Sequence, residues 1–273
     1  MPSFDPGRTP FICPNCRTSL VFGDGELRCP ECAETVPIID GIPQFFHPTD
    51  ENTTSTLFDH LSSIYETPLW FPLLYRALVW PRLPPDDRGL VATYLTDGVL
   101  QERNAPPDET VAGEYDVLDV ACGTGRFTRY IADGARFVWG ADIAPGMLQK
   151  AQQYARRDGV TNVTFALMDA GDLRFESAVF DGVACCWALH LFPDLDDVLA
   201  EIHRTLAPGG RFAGTTLVDA SLLAVEPVQF AARHTLGARV FEAEQFRARL
   251  QAAGFQEVTF ERRGGGLFFG AVA

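Results

Sequence analysis

From residue 114 onward, short apolar runs alternate with turn residues. Val117-Leu118-Asp119-Val120 ends in Gly123-Thr124-Gly125, and Phe137-Val138-Trp139-Gly140 ends at Asp142. Val163-Thr164-Phe165 leads to Asp169, and Gly182-Val183-Ala184-Cys185 stops before Trp187. Runs of this length bounded by turn signals predict buried strands. Between them Met147, Ala151 and Tyr154 share one helical face and Leu199, Ile202 and Leu206 another, with Pro208-Gly209-Gly210 expected to end the second helix. Residues 211–217 predict a fifth strand, Phe246 and Leu250 mark a further helix, and residues 257–262 and 266–272 supply two last strands. Repeated strand-helix units predict an α/β class: a mainly parallel sheet, helices on both faces, and ligands at the carboxyl ends of the strands.

Upstream the pattern changes. After the turn Asp40-Gly41-Ile42-Pro43, residues 47–56 are polar and read as a linker. Residues 57–79 are apolar and aromatic, with Phe58, Leu61 and Tyr65 at helical spacing, and predict a helical cap. A second helix is expected over 88–100 and a loop over 101–113, where Pro106-Pro107 breaks any period. Three units result: residues 1–47, a linker and cap over 48–112, and the α/β domain over 113–273.

The first unit carries Cys13-Pro14-Asn15-Cys16, then twelve residues, then Cys29-Pro30-Glu31-Cys32. Two such knuckles bring four thiolates to the corners of a tetrahedron, the arrangement that Zn2+ accepts because it has no d-electron geometric preference. Two disulfides or a redox pair are the other uses of the same cysteines. The stretch between them, with Asp24-Gly25 as its turn, has the form of a hairpin, so the unit reads as a zinc ribbon. A core this small needs help to fold, and metal binding supplies on the order of 10 kcal/mol in comparable zinc modules.

Composition is that of a globular chain: 273 residues, 47% hydrophobic, 21% charged. No apolar run reaches the roughly 18 residues of a membrane span, since Arg76 interrupts residues 69–80. The opening residues lack a basic start followed by an apolar core, and an odd count of seven cysteines does not suit a secreted disulfide framework, so a cytoplasmic location is expected. The net charge is −14, and Lys150 is the single lysine. Within residues 1–47 three arginines face six acids. A phosphate-gripping ribbon needs a basic face, so this composition favours a stabilising or docking module over a nucleic-acid clamp.

The sequence Val117-Leu118-Asp119-Val120-Ala121-Cys122-Gly123-Thr124-Gly125, followed by Asp142, Asp169-Ala170, Phe180-Asp181 and Leu206-Ala207-Pro208-Gly209-Gly210, resembles the ordered motifs of class I S-adenosylmethionine-dependent methyltransferases. The resemblance covers residues 113–273 and implies a Rossmann-like seven-stranded sheet. It further implies that Tyr65, Asp119, Ala121, Gly123, Gly125, Asp142, Ile143, Met147, Asp169, Ala170 and Cys186 surround the cofactor. Glycines let a ligand approach the backbone, and the following helix N-terminus offers amides to a carboxylate. Asp142 is expected to accept the ribose hydroxyls, and Asp169 the adenine amino group, with Ile143, Met147 and Ala170 against the ring. Asp119 is expected to receive the methionine ammonium. Ala121 and Arg126 replace small residues frequent in the family, which disfavours a pyrophosphate-binding site. His190, just beyond the fourth strand, is the candidate general base for a hydroxyl or carbon-acid acceptor, with His234 a second histidine in a variable insertion.

Two neighbours compete for the acceptor. The chain resembles chloroplast and cyanobacterial methyltransferases related to the ubiquinone and menaquinone enzymes, which implies a small apolar molecule. A four-cysteine ribbon on such a domain also resembles the large-subunit rRNA guanine methyltransferases, which implies RNA. A cofactor-binding module without transferase activity is the alternative from another class.

Overall fold

The computed structural model describes residues 9–46, 87–96, 115–218, 240–263 and 265–273. The expected cap, the 101–113 loop, Tyr65 and His234 lie outside the described residues. The helix expected over 88–100 is described as α1 (Asp87–Thr96).

Each strand expected from the apolar runs forms. A seven-stranded sheet contains β5 (Asp116–Val120), β6 (Phe137–Asp142), β7 (Val163–Leu167), β8 (Phe180–Cys186), β9 (Leu206–Leu217), β10 (Gln256–Arg263) and β11 (Gly266–Val272), in the order β10-β11-β9-β8-β5-β6-β7. The five strands β5 to β9 run parallel, and the β10–β11 hairpin adds on antiparallel. Because β5 pairs with β6 on one side and β8 on the other, the connections leave in opposite directions there, which opens a crevice at the carboxyl end of the sheet.

Helices cover both faces, as the burial of their apolar stripes requires. Val91 of α1, Phe127 and Ile131 of α2 (Arg126–Ile131) and Leu148 and Ala151 of α3 (Pro145–Arg157) fill one face. Leu199 and Ile202 of α4 (Leu195–Thr205) and Phe246 and Leu250 of α5 (Ala243–Ala252) fill the other. One expected boundary is corrected: Leu206 does not extend α4 but opens β9, where it pairs with Phe180 across a register shift. The strand partner outweighs the helical period, and Pro208-Gly209-Gly210 falls inside β9. Gly214 in β9 sits so close to β8 that a Cβ there would lie 2.0 Å from the Cys185 carbonyl oxygen.

The N-terminal unit is a four-stranded antiparallel sheet in sequential order, β1 (Val21–Gly23), β2 (Glu26–Arg28), β3 (Thr35–Ile39) and β4 (Ile42–Pro43). Asp24 and Gly25 both adopt positive φ, 54° and 84°, as a two-residue hairpin turn demands. The ribbon's core is continuous with that of the α/β domain. Phe11 is fully buried, its ring 5.0 Å from Phe175, 5.0 Å from Phe45 and 5.4 Å from Trp139. No helix among the described residues is long and apolar enough to cross a membrane.

Candidate functional site

The crevice at the switch point holds a cavity of about 200 Å³ whose walls come from the ends of four adjacent strands. Val120, Ala121 and Gly123 follow β5, Asp142 and Ile143 end β6, Met168, Asp169 and Ala170 follow β7, and Cys186 to Ala188 end β8. Met147 closes one side, and Leu191, Phe192 and Pro193 close another.

The turn after β5 explains why the motif takes the residues it does. Ala121, Gly123 and Gly125 all have positive φ, 55°, 55° and 72°. Ala121 therefore adopts, at the cost of steric strain, the conformation glycine takes freely. A Cβ on Gly123 would meet no atom within 4 Å and would project into space that the missing side chain leaves for a ligand. Asp142 fixes this turn: its Oδ2 accepts the Gly123 amide at 2.8 Å and its Oδ1 the Ala144 amide at 2.9 Å. Both carboxylate oxygens of Asp142 thus hold the backbone of the turn, and the residue also lines the cavity. Asp169 is exposed at the mouth, its Oδ1 accepting the Gly171 amide at 2.9 Å.

Of the residues expected at the cofactor, the structure brings Ala121, Gly123, Asp142, Ile143, Met147, Asp169, Ala170 and Cys186 together around one cavity. Asp119 and Gly125 are placed differently. Gly125 caps α2 behind the cavity wall. Asp119 is 1% exposed and accepts the Thr128 hydroxyl at 2.6 Å, so it braces the turn from below. His190 is 7% exposed and not among the lining residues, and its Nδ1 has no hydrogen-bond partner among the described residues. Burial pushes its pKa down to about 4, so it is neutral at ordinary pH and a weak base. Sequence reasoning missed Trp187, Leu191, Phe192 and Pro193, whose signal is their position directly after β8. Trp187 stands at φ 60° with its amide on the Thr215 carbonyl oxygen at 2.8 Å, which turns the chain over the cavity. It also missed the role of Arg126, whose guanidinium grips Asp87 of α1 with contacts of 2.9 and 2.6 Å.

Asp119 gives a pH prediction. Desolvation chiefly, set against the Thr128 hydrogen bond and reinforced by Asp142, raises its pKa from 3.8 to about 7. Below the lower value folded and unfolded chains both hold the proton. Between the two values only the folded chain does, so stability falls as pH rises through that window and levels off above it. Asp119→Asn keeps an acceptor for Thr128 but does not titrate. Its melting temperature relative to the parent should therefore climb from about pH 4 to about pH 8, and parallel pH curves would refute the assignment.

The four cysteine sulfurs of the ribbon all lie within 4.8 Å of one another. Cys13 to Cys32 is 3.5 Å, Cys16 to Cys29 3.4 Å and Cys16 to Cys32 3.6 Å. These separations are close to the edge of roughly 3.8 Å that a tetrahedron of zinc–sulfur bonds would have. Arg17 and Ala33, each directly after the second cysteine of a knuckle, have φ near 60°, at 60° and 59°, which folds each knuckle back on itself. Hydrogen bonding from Thr18 brings the Cys16 thiol down to about 6, whereas the surrounding sulfurs, against a thiolate-favouring Glu34 amide, push Cys32 up to about 12. Four crowded thiols cannot all ionise without a cation among them, and the donor set fits Zn2+.

Comparisons with known proteins agree with this geometry. A family model described as a methyltransferase domain matches residues 117–210. The chain is 32% identical over 177 residues to a ubiquinone/menaquinone biosynthesis C-methyltransferase of Acidiphilium cryptum, covering 55% of this chain and 70% of that protein. It is 29% identical over 208 residues to a demethylmenaquinone methyltransferase of Tropheryma whipplei, covering 69% and 84%. In fold it is similar to a phosphoethanolamine N-methyltransferase of Haemonchus contortus solved with S-adenosyl-L-methionine, with a TM-score of 0.58 at 18% identity over 79% of this chain and 59% of that one.

Proposed function

Because this chain belongs to the class I S-adenosylmethionine-dependent methyltransferases, we propose that it methylates a small, largely apolar acceptor and that its ribbon holds a structural zinc ion. The observation that carries the acceptor is the apolar lining that Trp187, Ala188, Leu191, Phe192 and Pro193 add to the cavity that also holds Asp142 and Asp169. Quinone precursors, the class in the names of the similar ubiquinone and menaquinone enzymes, have this character.

The cofactor supplies an electrophilic methyl group on a sulfonium, and the protein's task is placement and exclusion of water. Asp142 accepts the ribose hydroxyls while its two amide contacts hold the glycine turn. Asp169 accepts the adenine amino group, and Ile143, Met147 and Ala170 flank the ring. Asp119, through Thr128, keeps the turn in shape. The apolar wall keeps water from the transfer path and gives the acceptor its footing. Neutral His190, set back from the cavity, leaves the acceptor to provide its own nucleophilic electrons, as an enol, a phenolate or an amine does.

An RNA acceptor is disfavoured by charge. The two arginines among the described ribbon residues already lie beside acids, Arg17 at 3.7 Å from Asp172 and Arg28 at 2.7 Å from Glu26, so they form no basic face. The test is transfer of a radiolabelled methyl group from S-adenosylmethionine into cell extract separated into RNA, protein and organic-soluble pools. Label is expected in the organic-soluble pool. RNase-sensitive label would overturn the small-molecule reading, and cofactor binding with no labelled product in any pool would favour a non-catalytic module.

A further inference from the structure

The loop after β7 makes one wall of the cavity, through Met168, Asp169 and Ala170, and then runs along the ribbon. It is strapped at both ends. Ahead of the wall, the Phe45 amide donates to the Leu167 carbonyl oxygen at 2.8 Å. Behind it, the Ile12 amide donates to the Arg174 carbonyl oxygen at 2.9 Å, and the Glu176 amide to that of Pro10 at 2.8 Å. The fully buried rings of Phe11 and Phe175 stack between these two bonds.

The Arg174 side chain ties this strap to the cysteine cluster. Its Nη1 donates to the carbonyl oxygen of Pro14 at 3.1 Å, and Pro14 lies inside the knuckle between Cys13 and Cys16. Its Nη2 donates to Asp172, whose own amide donates to the Asp169 carbonyl oxygen at 3.1 Å. One path from knuckle to cavity wall is therefore Pro14, Arg174, Asp172, Asp169, and the exposed Arg17, directly after Cys16, reaches the same Asp172 at 3.7 Å. The Arg174 side chain is mostly buried, at 17% exposure, while Asp172 is more open, at 43%, so the fork is anchored at the arginine end and its two branches reach the knuckle and the loop from one planar group.

Resting on the zinc and cofactor assignments above, we propose that Arg174 is a positioning residue that couples metal loading of the four-cysteine knuckle to cofactor affinity. With zinc bound, the Pro14 carbonyl is held in place and the fork keeps Asp172 and Asp169 in the geometry that completes the cavity. Without zinc the knuckle relaxes, the Pro14 anchor is lost and the wall opens. Coupling of this kind is reciprocal: cofactor must tighten zinc by the factor by which zinc tightens cofactor.

The experiment uses the full chain. Zinc content and S-adenosylhomocysteine binding by calorimetry are measured on the parent first; absence of either overturns the earlier assignments, and the coupling with them. The metal is then removed with a chelator under reducing conditions. Zinc-free parent is expected to bind S-adenosylhomocysteine about tenfold more weakly. Arg174→Ala should retain its zinc, bind with the weaker affinity, and respond to zinc removal by no more than about twofold. Added S-adenosylhomocysteine should retard zinc loss in the parent but not in the variant. A purely structural ribbon would show a zinc effect undiminished in Arg174→Ala, or no effect on affinity in the parent, and either result overturns the proposal. Should the variant fail to fold, hydrogen exchange on the parent decides between the same alternatives: zinc removal should speed exchange over residues 168–176 while α5 stays protected, and a uniform rise across the domain would refute the coupling.

Discussion

Cys13→Ser is expected to purify without zinc, and the parent chain with one ion. A serine hydroxyl is a poor ligand beside three thiolates, and the closed four-sulfur site tolerates no vacancy. Metal binding in small zinc modules contributes on the order of 10 kcal/mol at neutral pH, so losing it removes most of what holds a sheet whose strands run from two to five residues. The damage should spread beyond the ribbon. Cys13 is fully buried in the same cluster as Phe11 and Phe175, its amide donates to the Thr18 carbonyl oxygen at 2.8 Å, and its own carbonyl accepts the Arg17 amide at 3.0 Å. Metal analysis together with thermal unfolding checks this: zinc at parental content would refute the site, and zinc loss without a lower melting temperature would show that the ribbon contributes nothing to the domain.

Asp142→Ala is expected to weaken S-adenosylhomocysteine binding by roughly 10- to 100-fold, the equivalent of losing charged hydrogen bonds worth about 1.5–3 kcal/mol. The substitution removes the proposed acceptor for the ribose and, at the same moment, the acceptor for the Gly123 and Ala144 amides. Gly123 lines the cavity, where water can replace its lost acceptor, so the fold is expected to survive while the turn loses its fixed shape. Calorimetry gives the affinity and a melting curve the fold. Unchanged affinity would sink the role of Asp142, and a collapsed melting curve would make it a structural residue.

Much of this was legible along the chain. Strands β5, β7 and β8 were visible because each is a short apolar run that the parallel sheet buries on both sides, and the Asp24-Gly25 hairpin because only a few residue pairs accept two consecutive positive φ values. The cysteine cluster was visible because knuckle spacing is itself the geometry. The cavity-lining residues Gly123, Asp142, Asp169 and Ala170 were visible because a strand end at a switch point delivers whatever follows it to the crevice. The end of α4 was misread because Leu206 satisfies the helical period as well as it satisfies β9, and its partner Phe180 is distant in sequence.

The amino-acid sequence alone determined the α/β class, the four-cysteine cluster and eight of the strand-end and helix residues that line the cavity, because each follows from local period, spacing or turn type. Only the tertiary structure decided which way the equivocal side chains point. Asp119 and His190 stand at strand ends like true lining residues, yet packing turns one under the turn to meet Thr128 and sets the other back from the cavity. The same holds for the join between ribbon and domain. Arg174 meets Pro14 across 160 residues and Ser19 meets Glu176 across 157, contacts that no local pattern encodes because they exist only once the β7 edge has formed and the ribbon has closed over it.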